Sequence, residues 1–424
     1  MSLLGEITPQ ATAAYLRTLP AIRERCARVY ELATQGKLQF FDYHPEKEAE
    51  VAAFCLNIIK IQPHGRWRHL DAGRSRIEPL LSNWSSENVD QKEQARRLID
   101  LFLVSVLLDA GAGNLWKYTE PNTNQVFGRS EGLGVASVHM FLDGFFSGVK
   151  DQPHRVDAAG LAKVTTERTG AAMQVSESNP MTGLEGRASL LYNLSQALTS
   201  SPEFFGKEGR PGNLIDFLES QALPTSPPTV PLAALWTALL DGLNPIWPSR
   251  LSLGGIALGD VWPCPSLGQT APGNPESDTI LIPFHKLTQW LTYSLVEVLQ
   301  KILHWKVEGL EDMTGLPEYR NGGLLVDLGV LTLKPDVLPK DPKSGLPFAP
   351  PSHPAIVEWR AMTVIELDRI ADLIRSELGL TPAQLTLAQV LEAATWKGGR
   401  EIARIKRPET GGPPIEIESD GTVF

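Results

Sequence analysis

The chain has 424 residues, 42% of them hydrophobic, 7% aromatic and 21% charged, enough apolar material to bury a large core. A formal net charge of −10 speaks against broad nucleic-acid binding, which needs a basic excess or a basic stripe, and leaves room only for a local anion pocket. Three scattered cysteines, Cys26, Cys55 and Cys264, exclude a disulfide framework or closed zinc site, and MSLLGEITPQ carries no basic, apolar leader, so the expectation is a cytoplasmic protein that makes no membrane contact.

Taken in order, Thr8-Pro9 predicts a helix start, with a capping hydroxyl before a proline, and apolar positions recur helically to Leu32. A second helix fits residues 46–61 and stops at Pro63. Residues 64–76, HGRWRHLDAGRSR, gather Arg66, Arg68, Arg74 and Arg76 with His64 and His69 around Trp67. Two readings compete for this segment, a phosphate-binding loop and a solvated arginine loop paired with local acids; a metal on His64, His69 and Asp71 has no diagnostic spacing behind it. Residues 98–108 are almost wholly apolar, so they predict a helix buried on every side. That helix runs into Asp109 and then Ala110-Gly111-Ala112-Gly113. A carboxylate at that point is disfavoured both by burial and by the negative end of the helix dipole. Either Asp109 is functional, or it braces the backbone N–H groups of the following turn.

GRSEGLGVASVHMFLDGFF predicts a helix capped by Ser130 and reaching about Phe146. Arg129 and Glu131 flank its start, as an anion grip or as a cap-stabilising charge pair. Residues 150–180 are polar and unassigned, 182–197 are helical in pattern, and 200–230 are broken by prolines around a short helix at 214–220. A helix at 231–240 leads into an ordered, irregular stretch, with an exposed loop at 268–279. Residues 283–305 form the clearest long amphipathic helix, placing Lys286 and Gln289 on one face. Asn321-Gly322-Gly323 reads as a turn before a short strand or buried helix end, and residues 334–354 as a loop. Helices follow at 355–377 and, from Thr381-Pro382, at 382–396, and a Gly/Pro-rich tail is expected on the surface. The fold class is therefore mainly α, a single large helical body over residues 1–424 with little β and irregular insertions near 150–180, 200–230, 242–279 and 334–354.

No nucleotide-binding glycine loop, HExxH or GxSxG is present, and LLVDLGVL offers only Asp327 where a phosphoribosyltransferase would carry adjacent acids. No cofactor or metal is implied. The combination HGRWRHLDAG, LLDAGAGNLWKY, GRSEGLG, EYRNGGLLVDLGVL and EWRA resembles the uracil catabolism protein family of fungi and bacteria, over about residues 10 to 420. That family belongs to a pathway that opens the pyrimidine ring of a uridine nucleotide. The order of motifs is also similar to that of the queuosine salvage nucleosidases, which release a base from ribose and have a helical fold akin to DNA glycosylases. There an aspartate followed by a small-residue turn and an aromatic ends a buried helix, as Asp109 to Trp116 does here. His285, Lys286 and Gln289 approximate a Tyr-Lys-x-x-Gln signature, Glu318-Tyr319-Arg320 an Asp-Tyr-Arg motif, and Glu358-Trp359-Arg360-Ala361 a Glu-x-Arg-Ala helix. Glu318 and His285 depart from the pattern, as do the glycines after Asp109, which implies a different and smaller leaving group.

The resemblance implies N-glycosidic bond hydrolysis, a reaction that needs a fixed anion near the anomeric carbon, help for water and a proton donor for the leaving nitrogen. Asp109 and Glu318 would be the two carboxylates. Lys286, Arg320 and Arg129 would bind a 5′-phosphate and Trp116 would stack on the leaving group, with Gln289 and Glu131 also in the substrate-binding set. Structural alternatives stand beside these: Glu318 as a salt-bridge partner of Arg320 or Arg360, Lys286 as a surface charge, Trp116 as core. The implied partner is a small nucleoside or nucleotide derivative, with transient contact to the ring-opening enzyme. Rival functions are a non-catalytic binding or scaffold protein and, less favoured, a phosphoribosyltransferase.

Overall fold

The computed structural model describes residues 8–61, 69–71, 73–109, 111–113, 115–247, 250–268 and 278–418. Thr8 caps helix α1 (Pro9–Leu16) by accepting the Ala11 N–H, as its Thr-Pro signature predicts. The expected continuation to Leu32 is interrupted, because Thr18 caps a new helix, α2 (Leu19–Thr34), and Pro20 in its first turn has no N–H to extend the old one. A 3₁₀ turn, Pro45–Lys47, leads into α3 (Glu48–Ile61). Of the basic segment, His64, Arg66, Trp67, Arg68 and the His69 side chain lie outside the described residues. Arg74 and Arg76 are not free for a phosphate: both bond the fully buried Glu120 carboxylate, at 2.7 and 2.9 Å. Asp71 then accepts the Arg76 and Ile77 N–H groups, opening α4 (Ile77–Ser86).

Helix α5 (Gln91–Leu108), capped by Asp90, is at most 3% exposed from Leu98 onward among its apolar residues, as the unbroken apolar run requires. It packs against α6 (Arg129–Leu142). A hairpin, Lys117–Thr119 with Val126–Gly128, delivers α6, whose cap is Gly128; Ser130 lies inside the first turn rather than at the cap. The unassigned 150–180 region holds two short helices, α7 (Ala158–Leu161) and α8 (Thr166–Ala172). Next come α9 (Leu184–Ser200), α10 (Pro202–Phe205), α11 (Leu214–Gln221), α12 (Leu232–Gly242) and α13 (Pro265–Gly268). Most of the expected 268–279 loop lies outside the described residues. Helix α14 (Lys286–Lys301) packs on α5 from a second side.

Asn321-Gly322-Gly323 is not a turn. It lies inside α15 (Tyr319–Asp327), where the missing side chains let two helices approach: a Cβ on Gly322 would stand 2.8 Å from the Trp359 ring, whose Nε1–H donates to the Gly322 carbonyl at 3.0 Å. Trp359 belongs to α16 (Pro354–Leu378), which packs across α2 and α3. The expected helix at 382–396 begins later, at Thr386, whose capping box opens α17 (Leu387–Val390). A π turn, Leu391–Thr395, joins it to α18 (Trp396–Lys406), which lies along α15. The described part of the tail, to residue 418, is held rather than loose. Ile415 is 1% exposed, and Glu416–Ile417 pairs in parallel with Phe348–Ala349.

The protein is mainly α: among the described residues its strands form only six two-stranded sheets. One apolar cluster contains residues from Leu19 to Ile415, and a smaller one joins Ala13 and Leu16 of α1 to Leu258, Val261 and Leu281. No described helix is long and apolar enough to cross a membrane.

Candidate functional site

Asp109 closes α5, and Gly113, at φ +83°, completes the exit turn; a Cβ there would stand 2.7 Å from the Thr182 hydroxyl, so the small-residue run lies directly against the start of α9. The Asp109 carboxylate is 6% exposed, and its Oδ2 has no hydrogen-bond partner among the described residues. No N–H group of residues 111–113, the described part of the following turn, donates to that oxygen. Burial pushes its pKa up to about 6, the Glu318 charge adds to that, and the Ser130 hydroxyl, Lys286 and Arg187 oppose it. Arg187, fully buried on α9, donates to the Leu108 carbonyl at 3.0 Å and so satisfies the end of the central helix.

Glu318 opens α15. Its two oxygens accept the N–H groups of Arg320 and Asn321, at 2.7 and 2.6 Å, and it makes no salt bridge to Arg320 or Arg360 among the described residues. Burial raises its pKa from its ordinary value, against Lys286 and the two N–H donors. Lys286 is the first residue of α14. It is 7% exposed and so not a surface charge, and it forms no ion pair among the described residues; Nζ lies 5.5 Å from the Trp290 ring centre. Burial lowers its pKa, while Glu318 and Asp109 hold it up. Asp109, Glu318 and Lys286 thus lie within one another's fields, brought together by the end of α5 and the starts of α14 and α15.

Asp260 fixes this junction. It accepts the Lys286 N–H at 3.0 Å and both arms of Arg360 at 2.8 Å, and Arg360 reaches on to the Pro317 carbonyl just before Glu318. Burial alone would raise the Asp260 pKa, but Arg360 and these N–H donors hold it well below the usual range. Gln289, fully buried, is spent on the same loop: it bonds the Phe284 carbonyl and both the hydroxyl and the N–H of Thr314. His285 precedes α14 at φ +45°, with Nε2 2.9 Å from the Leu16 carbonyl.

The remaining expected residues form a second group. Arg320 donates to the Gly411 carbonyl at 2.9 Å, and Arg129, at φ +54°, reaches both that carbonyl and Thr410. Burial lowers the Arg129 pKa, and the charges of Arg320, Arg400 and Arg404 lower it further. Glu131 pairs with Arg400, which outweighs the effect of burial and keeps it below its ordinary pKa. Trp116 bonds to neither group. It is fully buried, its Nε1–H donates to the Met173 carbonyl at 2.9 Å, and it packs on Gly132 of α6, so it presents no face for stacking.

The arrangement offers two buried carboxylates with raised pKa values, one of them with a free oxygen, next to a buried ammonium and an arginine group. Among the described residues no three His, Cys, Asp or Glu side chains cluster as metal ligands. Sequence reasoning missed Arg187, Asp260 and Arg400. The only trace was an arginine set among Leu184, Ala188, Leu190 and Leu191 in α9; Asp260 sits in a Gly/Pro-rich stretch without periodicity.

A family model described as protein of unknown function (DUF1688) matches residues 15–424. The chain is 41% identical to "Uracil catabolism protein 4" of Lachancea kluyveri over 99% of its length and 100% of that protein. It is 43% identical to "Protein urg3" of Schizosaccharomyces pombe, over 97% and 99%. With a full-length match of this kind to both the model and the relatives, the chain belongs to the DUF1688 family.

Proposed function

We propose that this protein acts in uracil catabolism as a hydrolase of an N-glycosidic bond, freeing urea or a related fragment from a ribosylurea-type nucleoside or its 5′-phosphate. The relative named for uracil catabolism supports the pathway, and the convergence of Asp109, Glu318 and Lys286 carries the chemistry. Both Glu318 oxygens already accept helix N–H groups, which makes Glu318 a fixed anion able to stabilise positive charge on the sugar. Asp109 keeps an unbonded oxygen, and burial brings its pKa up to about 6, which suits a base that takes a proton from water. Water attacks the anomeric carbon, the carbon–nitrogen bond breaks, and the leaving nitrogen gains a proton; Lys286, an ammonium beside both acids, suits that donation. Arg320 and Arg129 suit a phosphate on the far side of the sugar.

The test is urea release from ribosylurea 5′-phosphate and from ribosylurea. The wild-type protein releases urea, and Asp109→Asn, with an unchanged circular dichroism spectrum, loses at least a hundredfold of the rate. Unchanged turnover in that variant removes the assignment. Absence of urea release by the wild type, together with co-purification of a ring-opening enzyme, favours the scaffold reading instead.

A further inference from the structure

Tyr319 follows Glu318 of the first group and precedes Arg320 of the second along the chain, and no role has been given to it. As the first residue of α15 it is fixed in direction by the Glu318 cap on one side and by Arg320 on the other, whose guanidinium lies 5.0 Å from the centre of the Tyr319 ring. The ring packs on the main apolar cluster while the side chain keeps part of its surface open. Its hydroxyl has no hydrogen-bond partner among the described residues. Its phenol also lies in the fields of Arg320, Glu318, Asp109 and Arg129, and acts in turn on Arg400.

We propose that Tyr319 is a substrate-contacting residue that donates its phenolic hydrogen to the sugar phosphate, at the oxygens joining the reacting carbon's sugar ring to its anionic group. Burial raises the pKa of the phenol, so it stays protonated at every working pH and acts as a donor and never as a base. A rigid aromatic ring with two side-chain torsions places that donor at small entropic cost. The position also predicts selectivity. A sugar without an anionic group reaches the carboxylates alone, and gains nothing from a donor beside Arg320.

The inference rests on the reading of the site as one for sugars, and its test is separable from the proposed hydrolysis because it needs no turnover. Calorimetry with ribose 5-phosphate and with ribose compares wild type, Tyr319→Phe and Tyr319→Ala. The expected result is binding of ribose 5-phosphate by the wild type, weakened roughly tenfold in Tyr319→Phe, with a ribose response that does not change. Tyr319→Phe keeps the ring and the arginine contact, so its thermal melt should match the wild type even if Tyr319→Ala is destabilised. Equal affinity of wild type and Tyr319→Phe for ribose 5-phosphate overturns the proposal, as does failure of the wild type to bind it. A Tyr319-dependent affinity in a protein that releases no urea leaves this inference standing and sinks the hydrolase reading; urea release with Tyr319-independent binding and kinetics does the reverse.

Discussion

Glu366 gives the protein a built-in sensitivity to alkali. It is fully buried on α16, neither of its oxygens has a hydrogen-bond partner among the described residues, and burial together with the neighbouring Glu48 charge raises its pKa from 4.5 to about 8. Glu48 is itself held by Arg369, at 2.8 Å, and by the Tyr43 hydroxyl, so those donors are spent on it. The folded chain therefore keeps Glu366 protonated at neutral pH, whereas the unfolded chain ionises it. Its contribution is complete below about pH 4.5 and is lost as pH rises through about 8. Integrating between the two values, with 1.36 kcal/mol per unit, the ionisable side chain costs about 1 kcal/mol at pH 5, about 3 at pH 7 and about 5 at pH 9 relative to a neutral isostere. Glu366→Gln removes that cost, so urea denaturation at the three pH values should show the variant gaining on the wild type in that order. An advantage that stays flat with pH, or a wild type that gains as pH rises, refutes the reasoning.

Three further outcomes follow from the packing and the site. Gly322→Ala forces a methyl against the Trp359 ring and should cost about 1–3 kcal/mol, read as a lower Tm with retained helical signal; an unchanged Tm contradicts the close approach of α15 and α16. Glu120→Gln leaves the buried Arg76 with a neutral partner and should cost about 3–5 kcal/mol at pH 7. Burial would raise Glu120, but hydrogen bonds from Arg74, Arg76, Thr123 and His139 hold it far below the usual range, so this advantage is full above about pH 4.5 and shrinks in acid; denaturation at pH 7 and pH 3.5 checks the trend, and an advantage that grows in acid refutes it. In the proposed reaction kcat/KM should fall tenfold per pH unit below about pH 6, and Glu318→Gln, by removing a charge that raises Asp109, should move that limb to lower pH; an unmoved limb means the two acids do not interact.

Much of the framework is legible in the sequence because its signals are local. The Thr8-Pro9 cap, the unbroken apolar run of α5 and the periodicity of α14 each depend on a few neighbouring residues, and each element forms. The errors share a different cause. Asn321-Gly322-Gly323 carries turn residues, yet the glycines serve contact with Trp359, distant in the chain, which no local pattern encodes. Thr18-Leu19-Pro20 is a start signal like Thr8-Pro9 with the proline one position later, and the apolar period that continues across it hides it. Trp116 and Gln289 were legible as residue types suited to binding, but burial and full hydrogen bonding assign them to the supports of α6 and of the loop before Glu318. The electrostatic coupling of Asp109 to Glu318 was reachable only through the family resemblance, since the two acids stand at helix ends from far-separated parts of the chain. Asp260, which ties the start of α14 to Arg360 and through it to Pro317, gave no local sign at all.

The central claim is that an unbonded Asp109 oxygen and the capped Glu318 face one sugar, and the most direct measurement is a crystal structure of the protein with ribose 5-phosphate. The account predicts density between the ends of α5 and α15, with the anomeric carbon within about 4 Å of Asp109 Oδ2 or one water away from it, and the phosphate toward Arg320. Sugar density elsewhere, with Asp109 Oδ2 still unbonded, would contradict it.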